Sequence, residues 1–257
     1  MSLEPVRSLW VGDALPAAQA ACVASFLRVG HPFELFVYGP VANVPVGVSV
    51  RPAAEIVPQN RVFTYGAASG RAAGGLSGFS NLFRYALLAR EGGWWVDTDN
   101  FCLRPLPQAD VVISSERRRD GSAIPTCGVV RCPPGHALAR YCLERSDSAD
   151  TRTLAFGQTG PALIGAAVQE LELHQFVTPP ETFCPVDWFD FESLLNPGEI
   201  DPRAACVHLW GEMWRRRGGG GEIPWPGPEA CLLAQMAVTI EAPHARSRAC
   251  ATQNVTR

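Results

Sequence analysis

A chain of 257 residues, 47% hydrophobic and 18% charged, has the composition of a folded protein with a sizeable core, not of a disordered one. Its net charge of −3 and pI near 6.0 supply no global basic field, which excludes a protein recruited to nucleic acid or anionic membrane by bulk electrostatics. Nine cysteines, an odd number without a Cys-x-x-Cys pair, argue against a secreted disulfide framework and against a zinc ribbon.

The opening residues MSLEPVRSLWVGD hold no signal-peptide core, and no run of eighteen apolar residues offers a membrane span. A cytoplasmic location is expected, with peripheral membrane contact left open. SLWV (8–11) reads as a strand, 16–30 as a helix stopped by Gly30, FELFVY (33–38) as the next strand and VSV (48–50) as a short one. That βαβ rhythm predicts an α/β domain around a mixed, mainly parallel central sheet. Residues 58–78, rich in Gly, Ala and Ser, read as a surface loop. GFSNLFRYALLAREGG then predicts a helix with Phe79, Phe83, Ala86, Leu87 and Arg90 on one broad face. Ser77 or Ser80 is its expected cap, and Gly92 and Gly93 its left-handed stop.

WWV (94–96) follows as a strand, then VVIS (111–114) and GVV (128–130). Helices are expected over 136–146 and over 160–171, the latter with Pro161 in its first turn. CVHLW (206–210) is a late strand, 215–228 a loop and 229–240 a final helix. The reading is one domain over 1–243 and a flexible polar tail over 244–257. All 22 basic residues are arginine; their scatter fits coding bias better than a set of phosphate forks.

Asp97 and Asp99, at the end of the WWV strand, form the only DxD triplet. Residues i and i+2 of an extended segment point to one side, and the carboxyl ends of strands in open α/β sheets are where ligands bind. Two carboxylates converging there repel unless a cation lies between them, and Mg²⁺ or Mn²⁺ is the hard ion that suits them. Such an ion keeps oxygen positions for substrate phosphate. Ten aspartates give about 0.4 such triplets by chance, so solvated turn aspartates are the competing reading.

The string FSNLFRYALLAREGGWWVDTDNFCLRPL resembles the DXD sugar-transferase motif of retaining GT-A glycosyltransferases, most closely those of family 32. Arg84, Tyr85, Leu88, Gly92, Gly93, Asp97 and Asp99 match its pattern. LWVGD, VVRCPPGHAL, GQTGPALI and CVHLWGEMW resemble flanking elements, so the likeness covers most of residues 6–214. It implies a Rossmann-like GT-A fold. It also implies sugar transfer from a nucleotide-sugar such as a UDP- or GDP-sugar to a glycan, lipid or other hydroxyl acceptor, with retention and with Mn²⁺ or Mg²⁺.

Carried over by position, the resemblance makes Asp99 a metal ligand bridged to the donor phosphates. Asp97 would assist the metal or hold the ribose, and His208 is the candidate third ligand. Arg84 joins the two acids as a catalytic candidate. Trp10, Gly12, Asn81, Trp95, Cys127, Thr159, Gly160 and Trp214 are placed on the donor side. Core readings compete for His208 and Trp10. Asn81 stands where relatives carry aspartate and Cys127 where they carry asparagine, which points to altered donor choice, with impaired catalysis the less favoured alternative. RRR at 215–217 beside Gly218–Gly221 reads either as a solvated loop or as a lid over the phosphate. A nucleotide-sugar hydrolase and a non-catalytic nucleotide-sugar binder are the alternatives. Donor base, acceptor and oligomeric state leave no trace in the sequence.

Overall fold

In the computed structural model, which describes residues 3–217 and 221–241, the chain opens with β1 (Val6–Trp10), α1 (Ala17–Val29), β2 (Phe33–Val37) and β3 (Ser49–Pro52). The three strands run parallel in the order β3-β2-β1. Phe33, Leu35, Phe36 and Val37 are all buried, the near-continuous apolar run of a strand covered on both faces. α1 stops at Gly30, whose φ of 105° lets its N–H reach the carbonyls of Phe26 and Leu27.

The next elements are α2 (Ser77–Glu91), β4 (Gly93–Val96), β5 (Asn100–Cys102), β6 (Val112–Arg117) and β7 (Ala123–Cys132). β4 adds to β1 in parallel, whereas β7 and β6 extend the sheet antiparallel, giving the order β3-β2-β1-β4-β7-β6. The sheet is mixed and mainly parallel, as expected. α3 (Ala137–Asp147), α4 (Pro161–Glu170), β8 (Cys206–His208), α5 (Gly211–Arg217) and α6 (Leu232–Glu241) follow. β8 pairs with β5 as a separate two-stranded antiparallel ribbon.

Alternation along β4 divides the core. Trp95 packs with Phe79, Phe83 and Leu87 of α2 and with apolar residues of α3 and α4. Trp94 and Val96 face the other side, with Val23 and Phe26 of α1. No helix among the described residues is long and apolar enough to cross a membrane.

Several local expectations need correction. α2 starts at Ser77, so Ser77 lies inside the helix; Leu76 is the cap position, and no side chain caps it. Tyr65 and Phe63 press on the first turn instead: a Cβ on Gly78 would lie 3.0 Å and 3.1 Å from their rings. The segment 58–78 contains short 3₁₀ turns at Gln59–Arg61 and Ala67–Ala72. Arg215–Arg217 end α5 instead of entering a loop, and the last helix begins at Leu232. Gly218–Gly220 and the tail from residue 242 lie outside the described residues.

Gly92 is not the left-handed cap expected of it. Its φ of 62° is paired with a ψ of −156°, a region open essentially to glycine alone. A Cβ there would fall 2.3 Å from the Pro134 nitrogen and 2.7 Å from the Pro133 carbonyl carbon, backbone atoms that cannot swing aside. Gly92→Ala is therefore expected to lose roughly 3 kcal/mol or more in urea unfolding. Gly135→Ala, at φ 69° in open space, should lose only about 1–2 kcal/mol.

Candidate functional site

The sheet delivers the two acids to the carboxyl edge of its parallel strands, but through a turn. The Asn100 N–H donates to the Asp97 carbonyl at 3.0 Å, so Asp97, Thr98 and Asp99 curl and do not continue the strand. Convergence comes from the ribbon that follows. β5 and β8 pair with Asn100 opposite His208, and the Leu209 N–H donates to the Asp99 carbonyl at 2.8 Å. Ligand atoms of Asp97, Asp99 and His208 consequently lie within 4.8 Å of one another, the one such trio among the described residues. The three line a cavity of about 910 Å³ together with Trp10, Asn81, Arg84, Trp95 and Cys127.

Electrostatics at the trio favour a cation. Burial alone would push the Asp99 carboxyl up, yet the His208 imidazole and the Gly211 N–H, 2.8 Å from Oδ2, hold it below the usual carboxylate range. Burial alone would strip the His208 proton, yet Asp99, 3.2 Å away, raises its affinity well above an ordinary imidazole's. His208 also lies against Trp210, ring centroids 3.9 Å apart. Two carboxylates and one imidazole form a mixed oxygen–nitrogen set suited to a divalent cation such as Mn²⁺ or Mg²⁺, and a cation there would displace the proton that Asp99 favours on His208.

Behind the trio sits a buried polar network. Arg84, 2% exposed, donates one guanidinium nitrogen to Asp97 Oδ1 and another to Asn81 Oδ1. The Trp95 indole N–H donates to the same Asp97 oxygen at 2.9 Å, and the guanidinium lies 5.0 Å from the Trp95 ring. Asp97 Oδ1 is thus occupied by donors from the protein, and Oδ2 lies on the side of Gly128. Asn81 Nδ2 donates to Thr159 Oγ1 at 3.2 Å, and the Cys127 thiol lies 3.6 Å from Asn81 Oδ1. Burial pushes that thiol up to about 11, so it is a neutral wall. Gly160 closes the network, since a Cβ there would meet Asn81 Nδ2 at 3.2 Å.

The remaining candidates divide. Trp10, at the end of β1, lines the cavity with its indole nitrogen buried and without a partner, and Gly12 lies beside that ring. Thr159 is buried behind Asn81 and reaches the site only through it. Trp214 does not reach the cavity: it is 4% exposed, donates to the Leu209 carbonyl at 2.9 Å and meets Phe191 edge-on. The resemblance of CVHLWGEMW made it a candidate, but α5 turns its side chain into the core. Of the three arginines, Arg215 is bound to Glu212 and to the Ala73 and Arg71 carbonyls. Arg216 lines the cavity 4.3 Å over the Phe156 ring, and Arg217 pairs with Glu192.

Glu116 was not foreseen. It lines the cavity, and burial raises its carboxyl above the ordinary range. Ending the strand at Ser114 left it outside; period-two alternation continued to Arg117 would have put it on the cavity side.

Residues 76–119, from the start of α2 through β6, match a family model described as "Glycosyltransferase sugar-binding region containing DXD motif". No curated protein matches the chain. The fold is similar to that of "PaToxG Glycosyltransferase", at 10% identity over 67% of this chain and 74% of that one, TM-score 0.43. It is similar to galactosyltransferase LgtC in complex with donor and acceptor sugar analogs, at 10% identity over 93% and 95%, TM-score 0.43. It is also similar to the apo-form glycosyltransferase GlyE of Streptococcus pneumoniae TIGR4, at 10% identity over 70% and 46%, TM-score 0.36.

Proposed function

We propose that the protein is a divalent-cation-dependent glycosyltransferase that moves a sugar from a nucleotide-sugar to a glycan, lipid or other hydroxyl acceptor in the cytoplasm. The carrying observation is the convergence of Asp97, Asp99 and His208 in one cavity, with both acids inside the segment that matches the DXD glycosyltransferase region. A GT-A domain of the family 32 type and retention of configuration are part of this reading, supported by the sequence resemblance and the mixed sheet. Asp97, Asp99 and His208 would hold Mn²⁺ or Mg²⁺, which when bound neutralises charge on the departing diphosphate.

The chain's own residues supply position. Arg84 and Trp95 fix one Asp97 oxygen, so the acid enters the site with its orientation already set. Trp10 offers an indole face to the nucleobase. Asn81, Cys127 and Gly160 wall the sugar end. With a neutral amide at 81, the single buried guanidinium keeps its charge for Asp97; an aspartate there would compete for it. That difference supports donor selection by the neutral network.

The test is nucleoside diphosphate release with Mn²⁺ and a panel of UDP-, GDP- and ADP-sugars, with and without glycan and lipid acceptors. Release that rises with an acceptor is expected. Release indifferent to acceptors would assign a hydrolase, and nucleotide binding without turnover a non-catalytic binder.

A further inference from the structure

The cavity has a second wall that the donor reading leaves unused, formed by the hairpin between β6 and β7 and by Trp188. Alternation along β6 turns Glu116 and Arg118 toward the cavity and Arg117 away from it, where Arg117 pairs with Glu181 and Asp187. Arg118 and Arg119 are exposed, and among the described residues neither pairs with a carboxylate. The acid of the same turn, Asp120, is folded back onto Ser122, accepting from its N–H at 2.9 Å and its hydroxyl at 2.6 Å. The turn itself is fixed by Arg118 N–H to the Ser122 carbonyl at 2.8 Å and by Gly121 at φ 84°.

Trp188 completes this wall. Its indole N–H donates to the Arg117 carbonyl at 3.1 Å, which ties the ring to the hairpin while the ring lines the cavity. Arg119 lies 5.4 Å from the Trp188 ring and 5.0 Å from that of Phe189. These cation–π contacts tie the guanidinium to the two rings. Arg118 lines the cavity and is within electrostatic range of Asp120 alone among the acids of the turn; its guanidinium can fork onto an oxyanion, and Arg119 adds positive charge beside Trp188.

The wall runs away from the metal trio, with Glu116 still within electrostatic range of His208 and Arg118 beyond it. A Cβ on Gly128 would lie 3.4 Å from Asp97 Oδ2 and 3.8 Å from His208 Cε1, so Gly128 marks the metal end of β7. Ile124, paired with Glu116, is four residues away, or about 13 Å. A sugar can lie between the two ends with its hydroxyl toward the donor.

We infer that the Arg118–Arg119 hairpin and Trp188 form the acceptor subsite for a sugar that carries a carboxylate or phosphate group. The inference rests on the sugar-transfer reading and names the acceptor class for it. Trp188 takes the apolar face of the ring, Arg118 takes the anion, and Arg119 adds positive charge beside it.

The test is calorimetric titration of the full chain at low salt with maltotriose, digalacturonate, glucose 6-phosphate and inorganic phosphate. The protein with and without the R118Q/R119Q substitutions is used, and W188A is the second variant. At least one anionic sugar should bind tenfold or more tighter than maltotriose, and the stronger of the two identifies the anion as carboxylate or phosphate. R118Q/R119Q should bring it to the maltotriose value. W188A should weaken every sugar by more than it weakens inorganic phosphate. Equal binding of neutral and anionic sugars, a preference that survives R118Q/R119Q, or no anionic-sugar binding up to about 10 mM overturns the inference. Thermal stabilisation by UDP or GDP with Mn²⁺, measured on the same samples, separates the two readings. If it persists without anion preference, only the acceptor assignment fails; anion preference without it keeps the subsite and removes the transferase.

Discussion

Asp99→Asn is expected to lower metal-dependent nucleoside diphosphate release by at least about 10²-fold while the protein stays folded. The two effects separate because of the neighbours of Asp99. An asparagine oxygen can still accept the Gly211 N–H that now reaches Oδ2, so the junction between the DxD turn and α5 keeps its hydrogen bond. His208 does not become a stranded buried charge. Its proton affinity is raised chiefly by Asp99 against burial, so loss of the carboxylate lets burial pull that affinity down. The expected stability loss is therefore that of a charged hydrogen bond, roughly 1.5–3 kcal/mol. Cation binding depends on the missing charge, and Mn²⁺ should no longer raise the melting temperature of the variant. Unchanged metal-dependent release by a folded Asp99→Asn protein would remove Asp99 from the site.

How far the site could be read from the sequence follows from the range of the forces that build it. The helix–GG–strand unit that presents Asp97 is local: α2, the Gly92 turn and β4 are contiguous, and each leaves a pattern or a punctuating glycine. Even there, the conformation of Gly92 depends on Pro133 and Pro134, which a local pattern cannot contain. His208 became a candidate through resemblance; its approach to Asp99 is the work of β5 and β8, three-residue strands too short to show alternation. Trp214 illustrates the reverse. It stands in a matching segment, yet the helical turn from Gly211 onward directs it to Phe191. Glu116 and Trp188 were missed because their place in the cavity arises from antiparallel pairing and from a 3₁₀ segment (Trp188–Leu195) with no periodic signal.

Arg84→Met should lose about 3 kcal/mol of stability, the lower end of the range for breaking a buried pair, because the Asp97 side chain is 26% exposed. Methionine fills much of the same volume against Trp95, so cavity formation contributes little and the loss reports on polar groups. Asp97 would retain only the Trp95 indole N–H, and Asn81 Oδ1 would lose its guanidinium donor. Arg84→Lys should not restore the arrangement, since one ammonium cannot span Asp97 and Asn81 as a planar fork does. Adding Asp97→Asn to Arg84→Met removes the uncompensated charge, and the pair should be more stable than the sum of the single losses by at least about 1 kcal/mol. Activity should behave oppositely. Each single variant and the double variant should all fall by about 10²-fold or more, because the recovered stability does not return a carboxylate held in a fixed orientation. Urea unfolding and diphosphate release on the same four proteins decide it. Additive stability losses, or an active Arg84→Met protein, would mean that Arg84 packs against Trp95 without positioning Asp97.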